Sequence, residues 1–327
     1  MSAERRQPVL RRAELGPGAV GRLADVLRAW PAGAVVLVSS RHLDGAQRAV
    51  LEQAAGRAFA AQLHTPAELD APALARLAEQ LAQVRPAAVV ACGGGTVMDA
   101  AKVLTRPGRT GLVLVPKTLS GAEHTANTSW WEEGRKRVAT VGMADAVLAD
   151  PALLLADWEV LGPGALHAVA HALATARQPA AGGCTVAIAR AALADLVPAL
   201  ATDDLSGPGR LRLLRGAWLA AVGFALTGPR IGAHHLLVHR YARPGQHARF
   251  SARLVCGGLL HTDVHAPAVA VLAGRLPWLP ERLAGVAGRW LPRVADAAPR
   301  TDAGAGPSPA AADDDDARTL LAVVARG

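Results

Sequence analysis

Eight of the chain's eleven histidines fall between residues 167 and 265. His167 and His171 stand four apart in a helical pattern that begins after Gly162-Pro163-Gly164, so they share a helix face. His235 and His239 repeat that spacing, and His247 follows after a short stretch. A lone helical histidine is ordinarily a core residue. Two such pairs and a fifth ring are costly to bury unpaired, and imidazole is a ready ligand for zinc or iron.

The second chemical stretch runs from Val89 to Thr125. An apolar strand leads into Gly93-Gly94-Gly95-Thr96, and a helix carrying Asp99 and Lys102 starts there. Glycines let the backbone approach a pyrophosphate, and the free amides of a helix start attract anions. A triple glycine alone is equally a tight turn between strand and helix, and the GxGxxG spacing is absent. The continuation separates the two readings. A second apolar strand ends in the polar loop Pro116-Lys117-Thr118-Leu119-Ser120-Gly121-Ala122-Glu123. Two polar loops at the carboxyl ends of neighbouring parallel strands define a ligand crevice.

The elements that must position these loops follow from hydrophobic runs. Ala34–Ser39, Ala87–Ala91, Leu112–Val115 and Ala146–Ala149 are short apolar runs of the kind buried in parallel sheets. Helical patterns cover Ala19–Ala29, Gln47–Leu63 and Pro72–Val84, and Thr128–Val141 reads as a hairpin turning at Glu133-Gly134. Strands alternating with helices predict a parallel, Rossmann-like α/β domain. From Ala152 to Trp290 the pattern is Ala/Leu-rich and helical, which predicts an all-α C-terminal domain. The expected boundaries are 1–155 for the dinucleotide-binding domain and 156–294 for a helical catalytic domain. A flexible linker is expected over 295–318, rich in Ala, Pro, Gly and Asp, and a short terminal helix over 319–327.

Composition narrows the function classes. The 327 residues carry a formal net charge of +8, nearly all of it arginine, since only Lys102, Lys117 and Lys136 are lysines. No basic run with interleaved aromatics is present, so nucleic acid is not an expected partner. Cys92, Cys184 and Cys256 are odd in number and far apart, against a disulfide framework or a cysteine zinc site. The N-terminus lacks the apolar core of a signal peptide, and no uninterrupted run reaches the 18 or so apolar residues of a membrane span. The expectation is a soluble cytoplasmic protein acting on a small molecule, with no membrane partner.

The motifs carry a family resemblance. CGGGTVMDAAK resembles the GGGSxxDxAK motif of the iron-containing alcohol dehydrogenase superfamily, which includes dehydroquinate synthase-like enzymes. PKTLSGAEHT resembles that family's PTTxGTGSE loop, and more so the PTTYAGSEMT form of maleylacetate reductases. WWEEGRKR, ADPALL and HHLLVH are similar to maleylacetate reductase segments in the same order. The resemblance implies a nicotinamide cofactor, NADP or NAD, over Gly93, Gly94, Gly95 and Thr96, with Asp99 near its nicotinamide end. Thr118, Leu119 and Ser120 would line it from the second loop. The first strand ends Ser39-Ser40-Arg41 with no acid to hold a ribose 2′-hydroxyl. Arg41, after Ser40, would pair with a 2′-phosphate and favour NADP; a plain turn arginine is the other reading.

The resemblance also distributes the histidines. His171, His235 and His247 match metal ligands, and His239 matches the histidine near the nicotinamide, here a proton donor or relay. The family's aspartate is replaced by His167. These four, His167, His171, His235 and His247, would hold a divalent metal, Fe or Zn, or bind substrate if no metal is present. Imidazole-only ligation suits zinc. His124, His234, His261 and His265 fit no motif position and read as structural or solvent-facing. Arg230, Arg240 and Arg243 are anion contacts or surface charge. The implied activity is NAD(P)H-dependent hydride transfer to a small carboxylate-bearing ketone, enone or aldehyde, in a homodimer. The alternatives are a non-redox lyase or cyclase on the dehydroquinate synthase-like fold, or an inactive scaffold.

Overall fold

The computed structural model describes residues 12–105, 110–133, 135–177, 183–227, 233–242, 245–297, 316, 317, 319, 320 and 322. The chain divides into two compact units, Met1–Thr118 with Ala122–Leu155, and Leu119–Gly121 with Ala156–Gly327.

The first unit is α/β. In order it contains β1 (Arg12–Leu15), a 3-10 turn running into α1 (Leu23–Leu27), β2 (Val35–Ser40), α2 (Gly45–Ala55), β3 (Ala61–Thr65) and α3 (Ala71–Val84). Then come β4 (Ala88–Gly93), α4 (Gly95–Leu104), β5 (Gly111–Pro116), the hairpin β6 (Asn127–Glu132) and β7 (Arg135–Thr140), and β8 (Ala146–Ala149). Six strands form one sheet in the order β1-β8-β5-β4-β2-β3, with every pair parallel. β4, β5 and β8 are buried along their whole length, which is why their sequences are uninterrupted apolar runs.

Two strands depart from the sequence expectation. The helix expected over Gln47–Leu63 ends at Ala55, where Gly56 takes a left-handed φ of 65°. The chain then forms β3, AQLHT. β1, RAEL, lies before the first element expected from the sequence. Among the described residues both are sheet edges, with a single strand neighbour each. Their half-exposed polar residues hide the apolar run by which central strands are recognised. The helix expected over Ala19–Ala29 is a 3-10 turn followed by the five residues of α1.

The second unit is helical: α5 (Trp158–Arg177), α6 (Gly183–Thr202), α7 (Gly207–Leu226), α8 (Ala233–Tyr241), α9 (His247–His261), α10 (Ala266–Ala273) and α11 (Leu279–Trp290). α5 is its centre, buried almost continuously from Leu161 to Ala176 and packed against α6, α7, α9 and α10. With few aromatics available, close approach depends on glycine. A Cβ on Gly162 would stand 1.9 Å from Trp290 Cη2, so the indole lies directly on the helix backbone. α6 has the length and mean hydropathy (1.6) of a membrane span. Its Leu193, Leu196, Val197 and Leu200 are nevertheless fully buried, and it packs between α5 and α7 as a core helix does.

Most of 295–327, expected as linker and terminal helix, lies outside the described residues. Those described there include Ala297, Ala317 and Leu320, all buried in one cluster with Leu237, Phe250 and Leu254. Asp316 pairs with Arg177.

Candidate functional site

β2 leads through α2 to β3 on one side, and the chain then returns across β2 to β4 on the other. The connections therefore reverse direction between β2 and β4, and ligands of open α/β sheets bind outside the carboxyl ends at such a switch point. The register places Ser39 beside Cys92 and Gly93 beside Pro116. Ser40-Arg41, Gly94-Gly95 and Lys117-Thr118 thus leave the sheet at one level, although they lie far apart in sequence.

α4 starts at Gly95 with no side-chain cap from Gly94. Its first amides keep the partial positive charge of a helix N-terminus for an anion. A Cβ on Gly94 would lie 3.2 Å from both Thr118 Cγ2 and Thr118 Oγ1, so the glycine lets the two loops close on each other. Lys117 donates its backbone N–H to Gly93 O at 2.8 Å, and its ammonium bonds Gln47 Oε1 on α2. Burial raises the Cys92 thiol to about 12, against the opposing pull of Lys117, so that cysteine is inert packing. Arg41 is exposed and Ser40 half-buried.

Two expected cofactor residues have structural partners. The Asp99 carboxylate accepts from the Ser129 N–H at 3.0 Å and the Ser129 hydroxyl at 3.1 Å, and faces Lys102 Nζ at 3.2 Å. Lys102 is buried and donates to the carbonyls of Ala122, Thr125 and Asn127. This pair ties the second loop and β6 to α4. Leu119 is buried, 3.2 Å from where a Gly164 Cβ would sit, so its side chain packs on α5 and only its backbone remains for a ligand.

In the helical unit, one turn of α5 carries His167 and His171, whose Nε2 atoms lie 3.0 Å apart. The other nitrogen of His167, Nδ1, is 2.7 Å from Ser251 Oγ on α9, and Ser251 is fully buried. His234 on α8 completes the group, its ring centroid 5.2 Å from that of His171 and 6.2 Å from that of His167. His247 stands 5.3 Å from His167, and His239 stands 5.2 Å from His247. Burial holds His171 well below the ordinary histidine value, reinforced by His167, His234 and His239. Burial, with His167 and His265, does the same to His234. Both rings are neutral near pH 7, with a lone pair to offer.

The structure therefore brings His167, His171, His239 and His247 together, although 167 and 247 are eighty residues apart in sequence. His234, expected as structural or solvent-facing, is not solvent-facing: it is buried in the group. It went unrecognised because the motif spacing points to its neighbour. The side chain of His235 lies outside the described residues, as do Arg230 and Arg243; Arg240 is half-buried.

The chain is similar to known proteins. Residues 11–154 match the model of the family described as iron-containing alcohol dehydrogenase. Maleylacetate reductase 1 of Rhodococcus opacus is 33% identical over 70% of this chain and 65% of its own. Maleylacetate reductase 2 of Cupriavidus pinatubonensis is 28% identical over 79% of this chain and 73% of its own. The chain is thus similar to the iron-containing alcohol dehydrogenase superfamily. Within it, the crystal structure of maleylacetate reductase from Agrobacterium tumefaciens has the same fold, with a TM-score of 0.75 at 20% identity and 98% of each chain covered.

The superfamily's name implies iron, and the donor chemistry here tests that. Among the described residues, the group that would hold an ion is His167, His171 and His234, with no carboxylate. Three neutral imidazoles fit a borderline ion such as zinc. They lack the anionic oxygen ligand that favours iron(II), because position 167, where the family pattern has aspartate, is histidine.

Proposed function

We propose that this protein is an NAD(P)H-dependent reductase of the maleylacetate reductase kind, acting on a small carboxylate-bearing ketone, enone or aldehyde. The observation that carries this reading is the switch point itself. Ser40-Arg41, the glycine turn with its uncapped helix and Thr118 converge there at one level of the sheet. Gly93–Thr96 would hold the cofactor's diphosphate, with Ser40 and Arg41 toward the adenosine ribose and Thr118 and Ser120 along the second loop. Arg41 has no acidic neighbour in that strand end, which favours NADP. Asp99 acts at a distance, by holding β6 and the loop before it against α4.

The cofactor supplies a hydride. The chain must bind the substrate's carboxylate, stabilise charge developing on its oxygen and deliver a proton. Arg230, Arg240 and Arg243 are the proposed anion contacts. His167, His171 and His247 stabilise the oxygen, with or without a bound ion. His239, half-buried beside His247, is the proton donor or relay.

Titration of the purified protein with NADPH and NADH, read by cofactor fluorescence, tests this reading. Absorbance at 340 nm is then followed after adding maleylacetate or an α-keto acid. The expected result is binding, with NADPH tighter, and oxidation on addition of one of these acids. Binding without net consumption identifies the lyase or cyclase alternative. Binding of neither cofactor identifies a scaffold and overturns the proposal.

A further inference from the structure

We propose that Lys117, more than Arg41, sets a preference for NADPH by holding the 2′-phosphate on its adenosine ribose, with Gln47 as the residue that positions the ammonium. The assignment rests on the reductase reading of the same site.

The first observation is the direction of Lys117. Strand side chains alternate between faces, so Lys117, just past the end of β5, continues the row of Val113 and Val115. Those valines pack in one cluster with Cys92 and with Leu51 and Ala55 of α2. Lys117 leaves on the same face, and its ammonium bonds Gln47 Oε1 in the first turn of α2. It thereby reaches from β5 across β4 to the segment that follows β2. α2 carries the chain from β2 outward to β3, whereas α4 carries it the other way, from β4 to β5. Right-handed crossovers running in opposite directions cover opposite faces of the sheet. The glycine turn that would take the diphosphate opens α4 on one face. Lys117 lies on the other, with the Ser40-Arg41 turn that leads into α2. Its charge is therefore placed for a phosphate on the ribose and not for the diphosphate.

The second observation is that the charge is not neutralised. Among the described residues Lys117 pairs with no carboxylate, and Gln47 is a neutral amide. Asp44, the acid at the start of α2, spends its carboxylate on the Gln47 N–H at 2.7 Å. An ammonium has three protons to donate, and Gln47 takes one. The rest of its donor capacity suits a phosphate, which lysine meets as a point charge.

The third is order before binding. Gln47 is 8% exposed and stands one turn before the fully buried Leu51, so the amide that aims the ammonium is anchored in the core. Lys117 is half-buried, whereas Arg41 is exposed on its turn. Fixing a long exposed side chain on a ligand costs rotamer entropy that an already ordered one has given up. The PTT loop of the resembling enzymes has threonine where this chain has Lys117, so the cation is a departure of this chain's own.

The test titrates the full chain with NADPH and NADH, and compares adenosine 2′,5′-bisphosphate with AMP as competitors. The wild-type chain should bind NADPH at least about tenfold tighter than NADH, and the bisphosphate tighter than AMP. Lys117→Thr should weaken NADPH about 30-fold and NADH less than about threefold. Arg41→Ala should weaken NADPH less than about fivefold. Gln47→Glu, nearly the same in volume, gives the ammonium a carboxylate to pair with and should weaken NADPH about tenfold, with NADH within about threefold. Lys117→Gln, which keeps a polar partner for Gln47, replaces the threonine variant if that one does not fold. Equal losses for NADPH and NADH in the Lys117 variants overturn the assignment, as does a greater loss from Arg41→Ala than from either. Equal binding of NADPH and NADH by the wild-type chain overturns it with the reductase reading intact. Binding of neither cofactor removes that reading and the assignment together.

Discussion

One oxygen of the Asp99 carboxylate accepts both the N–H and the hydroxyl of Ser129, thirty residues further on. This motif aspartate thereby fastens β6 to α4 while its other oxygen faces buried Lys102. The resemblance places this aspartate near a cofactor, and in the fold its hydrogen bonds also brace β6 against α4.

Removing the brace's cation should be costly. Lys102→Met leaves three carbonyls and a half-buried carboxylate without their ammonium. The expected loss is about 3 kcal/mol of unfolding free energy, measured by urea denaturation. A loss below about 1 kcal/mol would show that water replaces the ammonium readily.

Gly94→Ala tests the closure of the two loops. A Cβ there meets Thr118 at 3.2 Å, and Gly94 itself has an ordinary negative φ of −94°. The substitution is therefore tolerated by the fold but pushes the loops apart. NADPH affinity should fall about tenfold by calorimetry, an energy of about 1.4 kcal/mol, with the thermal midpoint little changed.

Gly162→Ala tests the core of the helical unit. The added methyl would overlap the Trp290 indole, which is buried and donates its N–H to Leu200 O at 3.3 Å. Overpacking of this kind costs about 3 kcal/mol, read as a lowered denaturant midpoint. Trp290→Leu, destabilising alone, should recover part of that loss in the double variant, and strict additivity would refute the clash.

Acid should unfold the helical unit through its buried rings. Burial is the main cause that lowers His265 from 6.5 to about 4, with Arg177 adding to it and Asp316 opposing. A group depressed in the folded state contributes stability above its unfolded value, lost as pH falls toward its folded value. Between pH 6.5 and 4.5, His265 alone should therefore cost about 2–3 kcal/mol. In His265→Gln, the difference in stability between those pH values should shrink by that amount. An unchanged pH dependence would mean that the ring is protonated in the fold.

His239→Ala should lower kcat for NADPH oxidation about 100-fold while cofactor affinity stays within about threefold. Turnover near the wild-type rate would remove His239 from proton transfer.

The sequence alone determined the elements whose surroundings are uniform. β4 and β5 are buried on both faces, so they appear as unbroken apolar runs, and the glycine turn between β4 and α4 is a local necessity of the backbone. Edge strands β1 and β3 were hidden because, among the described residues, one side of each has no strand neighbour, and their polar residues do not distinguish them from loop or helix. The histidines divide in the same way. Spacing by four placed His167 and His171 on one face, since both belong to one helix. That His234 joins them depends on the rotation of α8 about its axis, and that follows from packing against α9, not from any pattern within α8. The partnership of His167 with Ser251 across 84 residues is likewise a product of α5 lying on α9, a contact that no local spacing encodes.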